Sequence, residues 1–287
     1  MDLCNRNDIQ ALLLRHGFRF SKSMGQNFLI ADWVPRNTAE ASGADKNSGV
    51  LEVGPGIGPL TRELCQRAGK VVSVELDHRL YPVLAETLSE YDNFTLVEGD
   101  ILKQDLSALV AEHFAGLRPI LCANLPYNIT TPLLTACVKA KCFTSITVLI
   151  QKEVAQRICA QPGTADYGAF TLLMQYYTEP ERLFTVPNTC FLPMPKVTSA
   201  VIRCITREKP PVTVQSEAVL WRTVKAGFAL RRKTLANSLQ TGFPLSKQDL
   251  TQIIASCGLP GDIRGERLCL ADYARLADAL YAATDEN

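Results

Sequence analysis

The stretch that most limits what this 287-residue chain can become lies between positions 50 and 68. Val50-Leu51-Glu52-Val53 is an apolar run of strand type, and Gly54-Pro55-Gly56-Ile57-Gly58 follows at once. Leu60, Leu64 and Ala68 then recur every four residues, one stripe of a helix. A buried strand, a glycine turn and a helix form the first unit of a nucleotide-binding sheet. The glycines there let backbone approach a ligand and let helix and strand pack closely. The spacing is G-x-G-x-G with Pro59 behind it. It is not the dinucleotide G-x-G-x-x-G, and it lacks the Gly-Lys-Ser/Thr of a P-loop. With no pyrophosphate to hold, such a turn suits a nucleoside ligand without phosphates.

The chain then alternates. A strand at 71–74 ends in Glu75, 21 residues past Gly54, where the nucleotide-binding plan puts a carboxylate on ribose hydroxyls. A helix with Leu80, Val83, Leu84, Thr87, Leu88 and Tyr91 on one face leads to a strand at 94–97, which ends in Glu98-Gly99-Asp100. A carboxylate at Asp100 could accept from an adenine amino group. Taken singly, either acid could be a solvated strand-end charge. Acids at two successive strand ends after a glycine turn, with Asn124 at the next, point to a nucleoside site.

The fourth strand, 119–123, runs into Asn124-Leu125-Pro126-Tyr127 and then a helical stretch, 131–138. Ligands bind at the carboxyl ends of strands in open α/β sheets. Pro126 has no N–H and holds Leu125 extended. The Pro126 carbonyl and the Asn124 amide oxygen are therefore expected as two acceptors on a stiff turn. Two acceptors beside the Tyr127 ring suit an exocyclic amine, each taking one N–H while the ring stacks on the base. A strand at 145–150, helices at 153–159 and 170–177, and strands at 182–186 and 199–205 complete the alternation. Between those last strands lies the rigid loop Phe191-Leu192-Pro193-Met194-Pro195-Lys196-Val197. Phe191 is either core or the far wall of a base pocket.

A composition shift at 207–211 divides the chain into an expected α/β domain, 1–208, with an N-terminal arm over about 1–31, and a helical domain, 209–287. Net charge is +1, so no global attraction to nucleic acid exists. Locally, residues 203–240 hold eight Lys or Arg against two Glu, centred on Arg231-Arg232-Lys233. Such a cluster on a near-neutral background is a nucleic-acid footprint. The ten cysteines form no C-x-x-C pair and share no metal-ligand spacing with the three histidines. No metal is expected. With no long apolar segment, a cytoplasmic protein without membrane attachment is expected.

The glycine turn, acidic strand ends and Asn-Leu-Pro-Tyr loop resemble those of S-adenosylmethionine-dependent adenine N6-methyltransferases. Lys22-Ser23-Met24-Gly25-Gln26-Asn27-Phe28-Leu29, Glu52 to Gly58, Asn124 to Thr130, Phe191 to Ala200, Phe228 to Leu235 and the tail segment 264–268 are closer still to the bacterial small-subunit ribosomal RNA adenine dimethyltransferases, the kasugamycin-susceptibility family. The resemblance covers nearly the whole chain. It implies a Rossmann-like methyltransferase sheet with a small all-helical C-terminal domain. It also implies S-adenosylmethionine as cofactor, and as product two adjacent N6-dimethylated adenosines near the 3′ end of the small-subunit RNA.

By that resemblance, Asn27 and Leu29 would close over the cofactor, with Gly54 and Gly56 beneath it. Glu75 would hold the ribose and Asp100 the adenine amine. Asn124, Leu125, Pro126 and Tyr127 would form the catalytic loop, with Phe191 and Tyr127 sandwiching the target base. Asn124 would also touch the cofactor. Arg231, Arg232 and Lys233 would meet RNA of immature small subunits, and the protein would be a monomer. Thr198 and Ala236 depart from the family pattern, where an acidic and a basic residue are common. Two rivals are a large-subunit RNA adenine methyltransferase of the antibiotic-resistance type and a subunit assembly factor whose methyl transfer is secondary. The motifs at 191–200 and 228–235 argue against the first.

Overall fold

The computed structural model describes residues 1–19 and 26–284. Phe20 to Gly25, including the first half of the Lys22-to-Leu29 motif, lie outside the described residues. The strands are β1 (Phe28–Leu29), β2 (Ser48–Val53), β3 (Lys70–Glu75), β4 (Phe94–Glu98), β5 (Arg118–Asn124), β6 (Ser145–Gln151), β7 (Thr178–Val186), β8 (Phe191–Leu192) and β9 (Ser199–Thr206). Seven of them form one sheet in the order β4-β3-β2-β5-β6-β9-β7. The first five are parallel, and β9 runs antiparallel between β6 and β7.

Every residue of β2 is buried, as expected of a central strand covered on both faces. On one side, Leu60, Leu64 and Cys65 of helix Pro59–Arg67 pack with Val50, Val71, Ile120 and Cys122 of the strands. Another cluster joins Leu80, Val83, Leu84 and Leu88 to Ile9, Leu12 and Leu13 of the N-terminal helix Arg6–Arg15, so the arm is anchored by apolar burial. The chain builds β2, β3 and β4 outward, then returns to place β5 on the other side of β2. That reversal is the switch point where open α/β sheets bind ligands.

Two differences from the sequence expectations have clear causes. Strand β7 begins at Thr178 rather than 182. Pro180 is tolerated within it because β7 is the edge strand of this sheet, and a bulge near Arg182/Phe184 bends it. The two-residue ladder β1·β8, pairing Phe28 with Leu192 and Leu29 with Phe191, has no signal in the sequence, since two residues carry no periodicity.

The chain divides into two compact units, Met1–Ala155 with Thr178–Thr206, and Gln156–Tyr177 with Arg207–Asn287. The second unit thus starts near the expected linker but also recruits 156–177. Polar and aromatic contacts tie that segment there. The Tyr176 and Tyr177 hydroxyls donate to the two Glu217 carboxylate oxygens, Tyr176 meets Trp221 edge-on at 5.1 Å, and the Tyr167 hydroxyl donates to the Leu268 carbonyl. The unit's later helices are Glu217–Gly227, Leu235–Leu239, Lys247–Ser256 and Leu270–Ala283. No described helix is long and apolar enough to cross a membrane.

Candidate functional site

A pocket opens at the carboxyl ends of β2, β3, β4 and β5. Its lining includes Asn27, Leu29, Gly54, Gly56, Glu75, Asp100 and the whole Asn124-to-Tyr127 loop, so one cavity gathers every expected cofactor residue. Gly54 and Gly56 have φ of +67° and +63°, a region that side-chain-bearing residues rarely adopt. A Cβ on Gly56 would also sit 3.2 Å from the Phe28 ring.

Glu75 is 7% exposed, and its Oε1 accepts from the Asp77 backbone amide at 2.8 Å. Burial pushes its carboxyl above the ordinary range, against backbone hydrogen bonds from Asp77 and Gly56 that pull it down. Gly99, whose N–H donates to the Glu75 carbonyl at 2.9 Å, lets β4 end so that Asp100 joins the lining. One Asp100 oxygen accepts from the Leu102 amide.

Two acids lie beyond the sequence expectations. Glu52 is 1% exposed inside β2, and its Oε2 accepts from Ser73 Oγ at 2.6 Å and Thr61 Oγ1 at 2.7 Å. Burial raises its carboxyl to about 7, the two hydroxyls opposing the shift and the Glu75 charge adding to it. An acid within an otherwise apolar strand was the available signal. Asp77 accepts from Arg79 at 2.6 Å and from Gln26 Nε2 at 2.7 Å, which holds its carboxyl below the ordinary range, with the Arg79 hydrogen bond as the main cause. The lining therefore holds Glu52, Glu75, Asp77 and Asp100 and, among the described residues, no Lys, Arg or His. That set suits a ligand with hydroxyls, an amine and a positive charge, and repels phosphates.

The two carbonyls of the Asn-Leu-Pro-Tyr loop are engaged differently. The Pro126 carbonyl already accepts from the Ile129 amide and from Thr130 Oγ1, both at 3.2 Å, because it opens helix Thr130–Ala140. The Leu125 carbonyl accepts from no group among the described residues, while its amide donates to the Leu149 carbonyl at 3.1 Å and pins the turn to β6. Asn124 Nδ2 points to the Asn27 carbonyl at 3.5 Å, the outer limit of a hydrogen bond.

The family model for ribosomal RNA adenine dimethylases matches residues 17–274. This chain belongs to that family. A ribosomal RNA small subunit methyltransferase A from Geobacillus thermodenitrificans (strain NG80-2) is 45% identical over 284 residues, 97% of each chain. The protein of that name from Lysinibacillus sphaericus (strain C3-41) is 45% identical over 277 residues, 95% of this chain and 94% of its own. Among solved structures, the 23S rRNA methyltransferase ErmE matches with a TM-score of 0.68 and 28% identity over 88% of this chain and 99% of its own. A dimethyladenosine transferase from Plasmodium falciparum shares the fold, with a TM-score of 0.73 and 22% identity over 86% of this chain and 95% of its own. The chain is an S-adenosylmethionine-dependent ribosomal RNA adenine dimethyltransferase with a Rossmann-like sheet.

One site residue of this dimethylase sits otherwise than expected. Phe191 is 1% exposed and packs with Leu29, Val34, Leu149, Val186 and Val201, because the β1·β8 ladder turns it into that cluster. It does not line the pocket, whereas Tyr127 does. In the second unit, Arg231, Arg232 and Lys233 are exposed on the turn between helices Glu217–Gly227 and Leu235–Leu239. The Arg231 guanidinium donates to the Ala165 carbonyl. Ala236 is 2% exposed, so a basic residue is not missing from the surface at that departure from the family pattern.

Proposed function

We propose that this chain acts on immature small ribosomal subunits in the cytoplasm, as a monomer. There it transfers methyl groups from S-adenosylmethionine to N6 of two adjacent adenosines near the 3′ end of 16S ribosomal RNA. The observation that carries the reading is the acidic, phosphate-averse pocket at the switch point, ending in the Asn-Leu-Pro-Tyr loop. S-adenosylmethionine, when bound, supplies a methyl group on a positively charged sulfur. Glu75 would accept from its ribose hydroxyls, Asp100 would accept from its adenine amine, and Asn27, Leu29, Gly54 and Gly56 would shape the cavity around it.

The lone pair of an adenine N6 is delocalised into the ring and is a weak nucleophile. The Asn124 amide oxygen and the unengaged Leu125 carbonyl each accept one N6 hydrogen, which draws the nitrogen toward tetrahedral and aims its lone pair. The Pro126 carbonyl is committed to its own helix and serves as the brace of the turn. No strong base is needed, because the N6 proton becomes acidic only after attack. Holding the reacting atoms about 3–3.5 Å apart and aligned is then the main source of acceleration. Tyr127 stacks on a target base that has left its helical stack, and Phe191 backs the site from the neighbouring core. Arg231, Arg232 and Lys233 neutralise RNA phosphates.

The test is methyl transfer from labelled S-adenosylmethionine to small subunits lacking the modification, compared with protein-free 16S RNA. Nucleoside analysis follows. Dimethyladenosine at two neighbouring positions, formed on the subunits, is expected. Small subunits left without dimethyladenosine at two neighbouring positions would overturn the proposal.

A further inference from the structure

The catalytic loop is tied to a residue 72 positions away. The Tyr127 and Ser199 hydroxyls share a hydrogen bond of 2.8 Å. Ser199 opens β9, opposite Gln151 of β6 and Val186 of β7, and is 0% exposed. The backbone next to it is closed by the Lys152 amide, which donates to the Thr198 carbonyl at 3.0 Å. The serine is therefore set in the sheet, with strands on both sides. Tyr127, by contrast, is half-buried on a loop and lines the pocket.

We infer that Ser199 is a positioning residue for methyl transfer, fixing the plane of the Tyr127 ring before the target base arrives. The inference rests on the reading of Tyr127 as the ring on which that base stacks. Stacking alone would be served by phenylalanine, because the π-face is the same. What the hydroxyl adds is a second point of attachment. The Cα–Cβ bond fixes one end of the ring, and the hydrogen bond to a sheet residue fixes the other, so both side-chain torsions are set. Without it, the ring has to be ordered when the base binds, at the cost of immobilising a side chain.

The chemistry of the pair supports positioning rather than proton transfer. Burial pushes the Tyr127 hydroxyl above the ordinary phenol range, with the Ser199 hydrogen bond acting in the opposite direction. The phenol thus stays protonated at neutral pH and is no base for N6. Each hydroxyl also depends on the other. Ser199 Oγ has no other partner among the described residues, and a buried hydroxyl left alone is destabilising. Removing one partner should therefore cost more than removing both.

The experiment is a double-mutant cycle on the full chain with unmodified small subunits. It measures kcat, KM for subunits and S-adenosylmethionine affinity for Tyr127→Phe, Ser199→Ala, the double variant and Tyr127→Ala. Each single variant should lower kcat roughly 3- to 10-fold, the worth of one hydrogen bond, with cofactor affinity unchanged. The double variant should be no slower than Ser199→Ala, and Tyr127→Ala should be far slower than Tyr127→Phe. If Ser199→Ala fails to fold, Ser199→Cys, which keeps a weak donor, takes its place and should lie between wild type and Tyr127→Phe. Effects that multiply in the double variant, or a loss of cofactor affinity in step with kcat, would overturn the inference and leave Ser199 a structural residue. A fully active Tyr127→Ala would overturn the stacking reading as well.

Discussion

The glycine turn at 54–58 and the basic turn around 231–233 both lie at helix ends, yet they present charge in opposite ways. Beside the first, the carboxylates of Glu52 and Glu75 are 1% and 7% exposed and are held by hydroxyl and backbone amide donors. On the second, three cations stand in solvent, and the Arg231 guanidinium reaches back to the Ala165 carbonyl. Buried charge is costly to desolvate, so it is useful only where hydrogen bonds are already aimed, and salt barely screens it. Exposed charge costs little, demands no precise geometry and is screened readily. The pocket can discriminate among ligands, while the basic turn can supply attraction to any nearby phosphate.

The sharpest way to break this contrast is at the Asn-Leu-Pro-Tyr loop. Asn124→Ala should lower kcat roughly 100- to 1000-fold, the scale for losing one aimed group at a reacting centre. Cofactor affinity by calorimetry should be nearly unchanged. Equal losses in both would make Asn124 a cofactor ligand instead.

Next in size is a pH effect on stability at Glu52. Its unfolded carboxyl ionises near 4.5, whereas the folded one keeps its proton to about 7. The unfolded state therefore loses its proton first, and stability present below pH 4.5 drains away as pH rises to about 7, then levels off. The loss is on the order of 3 kcal/mol. Denaturation of Glu52→Gln across that range should lack this component, and parallel curves for the two proteins would show that the burial is not felt.

Glu75→Ala should weaken S-adenosylmethionine binding by about 1.5–3 kcal/mol, the scale of a charge-assisted hydrogen bond. On the proposed reading, in which phosphate contacts dominate RNA affinity, binding to unmodified small subunits should stay near wild type. An unchanged cofactor affinity removes Glu75 from the ribose site.

The smallest effect belongs to the exposed turn. Replacing Arg231, Arg232 and Lys233 should flatten the log–log salt dependence of subunit binding by about 0.7–0.9 for each phosphate that is no longer neutralised. Methyl transfer at saturating subunit should persist. A slope equal to wild type would leave the three as a solvated surface.

What could be read from the residues alone was whatever is written locally. The glycine turn, the acids at strand ends and the Asn-Leu-Pro-Tyr loop each need particular side chains within a few positions, so their spacing announced one pocket, and the structure gathers them there. The parallel core strands announced themselves as apolar runs. Other decisions required the chain to fold, because they depend on partners distant in sequence. Segment 156–177 joins the second unit through contacts with Glu217, Trp221 and Leu268, none of which its own pattern encodes. Phe191 is core rather than pocket wall because a two-residue ladder with Leu29 turns it inward. Whether the Leu125 or the Pro126 carbonyl is open depends on where helix Thr130–Ala140 begins. The Tyr127–Ser199 pair exists only because the sheet order places β9 beside β6, one strand away from β5. Periodicity encodes which face of an element is apolar, but it carries no address for the partner that covers that face.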